Sequence, residues 1–186
     1  MAALLAAMRD PAYPARPAVV VSNRADAAGL ALAAAAGVPT AVVESRGRPR
    51  EAFEAALQEV LERAEVGFIA LAGFLRVLSP AFVAAWEGRM INIHPSLLPA
   101  FPGLDTHARA LAAGVRIHGC TVHWVSAEVD QGPIIGQAAV PVLPGDTPET
   151  LGARVLAQEH RLYPLALAVA LGARPPLPEG EAILCL

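Results

Sequence analysis

The sequence predicts an α/β fold with a mostly parallel sheet and an antiparallel part toward the C-terminus. Three observations lead there. Short aliphatic runs alternate with segments of helical periodicity through the first half, as in strands joined by crossover helices. Later, two strand-like runs, Cys120–Val125 and Ile134–Val142, are joined only by the short loop Ser126–Pro133, which reads as an antiparallel pair. The 186 residues suffice for one domain with a sizeable core, residues 1–186, without internal repeats or a low-complexity linker.

Each element follows in turn. Residues 1–9 read as a helix with one apolar face, ended by Asp10-Pro11. Ala18–Asn23 reads as a buried parallel strand, and residues 25–36 as an alanine-rich helix stopped at Gly37. Thr40–Val43 is a short strand. Residues 48–63 carry Phe53, Ala56, Leu57, Val60 and Leu61 at helical spacing. Gly67–Ala72 is a further apolar strand. Ser79 and Pro80 open a helix through Trp86, the serine as N-cap and the proline in the first turn. Arg89–His94 is the next strand. A final helix spans roughly 147–171, with Thr147 as its cap and Glu149 suited to the dipole; Pro164 is expected to kink or divide it. The proline-rich tail after Gly172 is expected to be an ordered wrap or a frayed end. A doubly wound unit ordinarily begins with a strand and a glycine-rich turn; here a helix comes first.

Composition bounds the function. An apolar fraction of 55% and a mean hydropathy of +0.47 look membrane-like, but alanine supplies much of the excess. No run of about 18 apolar residues is free of charge, proline or glycine. Leu162–Leu171 is too short to span and contains Pro164, so it reads as a buried helix. Met1–Met8 lacks the basic flank and cleavage site of a signal peptide. The net charge of −3, with both signs interspersed, argues against nucleic-acid binding, which needs a basic stripe, but allows a small anionic ligand. Cys120 and Cys185 form no disulfide framework, which fits a reducing cytoplasm.

The chemistry concentrates in Asn92-Ile-His94-Pro-Ser-Leu-Leu-Pro99. Residues two apart in a strand share a face, so Asn92 and His94 project side by side, roughly 7 Å apart. An amide and an imidazole so placed can both donate to one oxygen at the C-terminal end of the strand, where open α/β sheets bind ligands. Prolines 95, 99 and 102 stiffen the following loop. A histidine at a strand end also serves as a structural residue, and both readings stand at this point. Asp130, in the loop Ser126–Pro133, is the natural carboxylate partner and would favour a protonated His94; equally, Asp commonly opens a turn before Gly-Pro. His118, Cys120, His123 and Asp130 are ligand-capable, but Cys120 and His123 fall on opposite faces of a strand and no metal motif is present.

At these residues the chain resembles a known family. Asn92-Ile-His-Pro-Ser-Leu-Leu-Pro-Ala-Phe-Pro-Gly103, then His118-Gly, then Asp130-Gln-Gly-Pro133, resembles the phosphoribosylglycinamide formyltransferases. Leu71–Pro80 is also similar, and the likeness runs from Ser22-Asn23 to Gln158-Glu159-His160. The resemblance implies a Rossmann-like three-layer sandwich of formyltransferase type. It implies formyl transfer from 10-formyltetrahydrofolate to the amine of glycinamide ribonucleotide, without a metal, in the cytoplasm, by a monomer or homodimer that binds neither nucleic acid nor membrane. Asn92, His94 and Asp130 would be catalytic, Asn92 and protonated His94 stabilising a tetrahedral oxyanion. The folate would lie along Arg50, Leu75, Arg76, Val77 and Leu78, Asn92, and the loop residues Ser126, Ala127, Glu128 and Val129. The nucleotide would meet Leu156, Ala157, Gln158 and Glu159, with Glu159 the direct contact to ribose hydroxyls. Read on their own, Leu75, Val77 and Leu78 are core residues, and Glu159 is a solvated helix residue. His107 lines the site or lies on the surface. The resemblance also implies a first strand and a glycine-rich phosphate loop ahead of Met1, so Met1 is expected to be an internal methionine. A formyltetrahydrofolate hydrolase, or a folate-binding protein without catalysis, is the competing reading.

Overall fold

The computed structural model describes residues 1–173 and 183–185. The elements are α1 (Ala2–Ala7), β1 (Val20–Ser22), α2 (Ala28–Ala35), β2 (Thr40–Val42), α3 (Arg50–Arg63), β3 (Ile69–Leu71), α4 (Pro80–Ala85), β4 (Met90–His94), α5 (Thr106–Ala112), β5 (Ile117–Trp124), β6 (Ile134–Pro141), α6 (Pro148–Ala170) and β7 (Ile183–Cys185). β1 and β2 form a parallel pair. The main sheet runs β3-β4-β5-β6-β7, with β3–β4 parallel and the remaining neighbours antiparallel.

β4 separates two helical layers because side chains alternate across a strand. Met90 joins Leu61, Leu78, Phe82, Val83 and Trp86 in the core beneath α3 and α4. Ile91 joins Leu151, Val155, Leu162 and Leu167 of α6, with Leu4 of α1, in the core on the other face. Helices on both faces of the sheet make the three layers. β1 and β3 flank a cavity of about 1000 Å³ lined by Val20, Ser22, Ile69, Leu71, Leu4 of α1 and the residues that flank this helix, Met1 and Met8. Among the described residues, each of these two strands pairs on one side only.

The helix starts follow their cap chemistry. The Ser79 side chain accepts from Phe82 N–H, with Pro80 in the first turn. Thr147 and Thr150 form a reciprocal capping box at α6. Arg154 grips Asp146 with two hydrogen bonds of 2.7 and 2.9 Å, which with the Leu143 N–H hold that carboxyl well below the usual carboxylate range. Pro164 does not divide α6, which runs unbroken to Ala170; the Tyr13 hydroxyl donates to the Pro164 carbonyl at 2.7 Å.

Two elements differ from the sequence-based reading. α5 was not expected, and it begins without a side-chain cap, from Asp105 in the left-handed region. β7 places residues 183–185 as a strand on β6, where a wrap or frayed end was expected; residues 174–182 and 186 lie outside the described residues. β1, β2 and β3 are only three residues each, shorter than their apolar runs.

α5 packs against the sheet through a histidine pair. His107 Nδ1 lies 3.1 Å from His118 Nε2 on β5, so one ring donates and the other accepts. Burial, and then the neighbouring His107, push His118 down to about 4. Burial also lowers His107 and His123. Between about pH 4 and 6.5 the unfolded chain therefore binds more protons at His118 than the folded one, so stability rises with pH across that window. Thermal melts should show Tm falling as pH drops from 7 to 4.5, with a shallower slope in His118→Gln. An unchanged slope in that variant contradicts the assignment.

Candidate active site at the end of β4

Asn92 and His94 lie on the same face of β4 as Met90, beyond the end of the α3–α4 core. The antiparallel register sets Asn92 directly opposite His123 and His94 opposite Thr121. The chain leaving β5 then folds back over this face, so that Asp130 meets His94. Asp130 Oδ2 is 3.4 Å from His94 Nδ1, and Oδ1 is 3.8 Å from His123 Nε2. Oδ2 also accepts from Gly103 N–H at 2.9 Å. The three side chains are each less than one-tenth exposed. Asp130 adopts a left-handed backbone, a region that Asp tolerates better than most residues.

The ring nitrogens are constrained by their partners. His94 Nε2 lies 3.1 Å from the Phe101 carbonyl, which only accepts, so Nε2 carries a hydrogen. With Asp130 beyond Nδ1, both nitrogens of His94 face acceptors. His123 differs. Its Nδ1 donates to the Trp124 carbonyl at 2.9 Å, and Nε2 faces the Asn92 amide nitrogen at 3.4 Å. Burial lowers His123 against the smaller pull of Trp124 and Asp130. The neutral ring then accepts from one amide N–H of Asn92, leaving the other N–H for a ligand.

The proline loop after β4 is pinned from beneath. Thr121 Oγ1 donates to the Ser96 carbonyl at 2.7 Å and accepts from Leu98 N–H at 3.0 Å. Gln137 donates to the Leu98 carbonyl and to Thr121. Ser96 donates to the Ala100 carbonyl at 2.6 Å. These bonds fix the segment that aims the Phe101 carbonyl and Gly103 N–H at the site.

The other sequence-predicted residues divide. Leu75 is 82% and Val77 57% exposed on the loop between β3 and α4, whereas Leu78 is buried, so the core reading fits Leu78 alone. Arg76 stacks over Phe53, and Arg50 pairs with Glu51 at the start of α3. Ser126 donates to the Glu128 carbonyl, and Ala127, Glu128 and Val129 are exposed on the returning loop. Leu156 and Glu159 line a cavity of about 280 Å³ with Ala72, Gly73, Ile93 and Tyr163; Ala157 and Gln158 are not among its lining residues. Glu159 is half-buried, and that burial raises its pKa. His107 pairs with His118 rather than with His94. Of the ligand-capable residues, His123 and Asp130 converge, but among the described residues no group of three could hold a metal ion. His123 and Thr121 were not singled out from sequence as partners of Asn92 and the proline loop.

Residues 1–167 match the family described as formyl transferase. The chain belongs to the formyl transferase family. Within it, the chain is 46% identical to phosphoribosylglycinamide formyltransferase from Escherichia coli K12, covering 89% of this chain and 78% of that protein. It is 50% identical to the trifunctional purine biosynthetic protein adenosine-3 of Bos taurus over 92% of this chain, and spans 17% of the length of that relative. Among solved structures, phosphoribosylglycinamide formyltransferase from Brucella melitensis superposes with a TM-score of 0.88 at 52% identity, covering 95% of this chain and 91% of that one. Glycinamide ribonucleotide transformylase 1 from Symbiobacterium toebii gives 0.88 at 51%, covering 92% and 82%. The α/β formyl transferase architecture, with its parallel and antiparallel parts, is therefore the one the sequence predicted.

The returning loop depends on Gly132. A Cβ there would collide with the Trp124 carbonyl oxygen, an atom of the backbone that cannot swing aside, whereas one at Gly67 would meet nothing. Gly132→Ala should cost about 1–3 kcal/mol in urea unfolding, as overpacking does, while Gly67→Ala is neutral or slightly stabilising. Equal effects at the two glycines would contradict this geometry.

Proposed function

We propose that the protein transfers the formyl group of 10-formyltetrahydrofolate to the amine of N1-(5-phospho-D-ribosyl)glycinamide, a step of purine biosynthesis. The observation that carries this reading is the convergence of Asn92, His94 and Asp130 at the end of β4. The resemblance to enzymes named for the same reaction supports it. The setting it implies is a cytoplasmic monomer or homodimer with no role for nucleic acid, membrane or metal. Among the described residues no helix is long and apolar enough to cross a membrane.

The amine lone pair attacks the formyl carbon, and the carbonyl π electrons move to its oxygen. The free N–H of Asn92 and the Nε2–H of protonated His94 donate to that oxyanion. In the resting site the Phe101 carbonyl holds the Nε2 proton at 3.1 Å, and the charged oxygen is the stronger acceptor. Asp130 balances the imidazolium from the Nδ1 side. The C–N bond to the folate nitrogen then breaks, and the proton lost by the attacking amine passes to that nitrogen. His123 holds the Asn92 amide in the orientation the oxyanion needs. Leu75 and Val77 offer exposed apolar surface to the folate ring, and Leu78 anchors their loop in the core. Leu156 and Glu159 lie on the nucleotide side, with Glu159 the acceptor for ribose hydroxyls.

Purified protein should release tetrahydrofolate from the formyl donor only when glycinamide ribonucleotide is present. Release without the nucleotide identifies a hydrolase, and tight folate binding without turnover identifies a binding protein; either result rejects the proposal. Asn92→Ala and His94→Ala should each lower kcat by about 10²-fold, the usual cost of one oxyanion donor, with KM little changed. Full activity in Asn92→Ala would remove the oxyanion assignment.

A further inference from the structure

Glu54 is a buried carboxylate that no step above uses. It lies one turn into α3 and is 6% exposed. Its Oε1 accepts from Ser79 N–H at 2.6 Å, and its Oε2 accepts from the Ser79 hydroxyl at 2.5 Å. The same hydroxyl oxygen accepts from Phe82 N–H at 3.2 Å at the start of α4. Both carboxylate oxygens therefore act on one residue, at the point where the loop from β3 enters α4.

Two neighbours on α3 hold the chain on either side of Ser79. The Phe53 ring lies under the Arg76 guanidinium, 5.1 Å from its carbon. Gln58 Oε1 accepts from the Trp86 indole N–H at 2.9 Å. Around the Arg76 contact the loop presents Leu75 and Val77 to solvent while Leu78 enters the core. An exposed apolar loop gains little order from its own packing, so its shape depends on how its ends are fastened.

Capping α4 does not by itself call for a charge. The Ser79 hydroxyl reaches Phe82 N–H unaided, and a buried carboxylate is a costly way to orient it when an apolar side chain would fill the space as well. What the carboxylate adds is a pair of short charge-assisted bonds that fix both the backbone and the side chain of Ser79. That fixes the exit of the 75–78 segment in one position.

We propose that Glu54 is a positioning residue for the folate donor: through Ser79 it sets the shape of the Leu75–Leu78 loop, and so the affinity for folate, without touching it. The inference rests on the reading of this loop as the donor site. It is tested by the equilibrium Kd for 5-formyltetrahydrofolate, a chemically stable reduced folate, in the wild-type chain and in Glu54→Ala, Ser79→Ala and Glu54→Gln. KM for each substrate and kcat are measured alongside. Glu54→Ala and Ser79→Ala should each weaken folate binding by about tenfold or more, as loss of charge-assisted bonds at an ordered loop does. The nucleotide KM, and kcat at saturating donor, should stay within about twofold, because the oxyanion donors lie on β4. Glu54→Gln keeps one acceptor, for Ser79 N–H, but loses the charge and the acceptor for the hydroxyl, and its affinity should fall between wild type and Glu54→Ala. Unchanged folate affinity in folded Glu54→Ala, or both KM values rising together as kcat falls, overturns the inference. If Glu54→Ala does not fold, unchanged affinity in Ser79→Ala overturns it. A wild-type chain that binds no folate overturns the donor-site reading itself, and the inference with it.

Discussion

The site at the end of β4 depends on where one carboxylate sits. Asp130 accepts from Gly103 N–H and faces the rings of His94 and His123. Three separately encoded pieces of chain meet there: the strand carrying His94, the proline loop that follows it, and the loop returning from β5. A buried carboxylate needs such partners, because an unpaired charge in that position would be strongly destabilising. The pairing fixes which ring nitrogens carry hydrogens, and that decides what the site can donate.

β4 provides the frame for this meeting. Its first residues are buried between two helical layers, and its last ones carry Asn92 and His94 past the edge of the α3–α4 core. The parallel β3 on one side and the antiparallel β5 on the other put the end of a crossover unit beside a hairpin. A hairpin strand brings His123 opposite Asn92, and its loop is long enough to lie back over both. Gly132 permits that return by letting the backbone pass close to Trp124. Sheet topology and a single glycine thus do as much for the site as the polar residues themselves.

Much of this was legible in the sequence. The alternation of strands and helices, the caps at Ser79 and Thr147, and the shared face of Asn92 and His94 follow from local periodicity and cap chemistry, which the chain carries residue by residue. His123 was not legible as a partner of Asn92, because the register between two strands is written in neither strand alone. α5 escaped notice because it is short and Asp105 does not cap it. β7 escaped because three residues in a proline-rich tail give no periodic signal. The division of Leu75, Val77 and Leu78 into exposed and buried members is likewise a tertiary fact. An apolar run reads the same whether it enters a core or stays at the surface.

The central claim is that His94 and Asp130 act as one unit. A double-mutant cycle on kcat for formyl transfer, using His94→Ala, Asp130→Ala and the combination, tests it most directly. If the carboxylate works by balancing the imidazolium, then once His94 is gone the loss of Asp130 should cost little more, and the double variant should be about as slow as the slower single one. Losses that multiply across the cycle would mean that the two residues act independently, and would contradict the account.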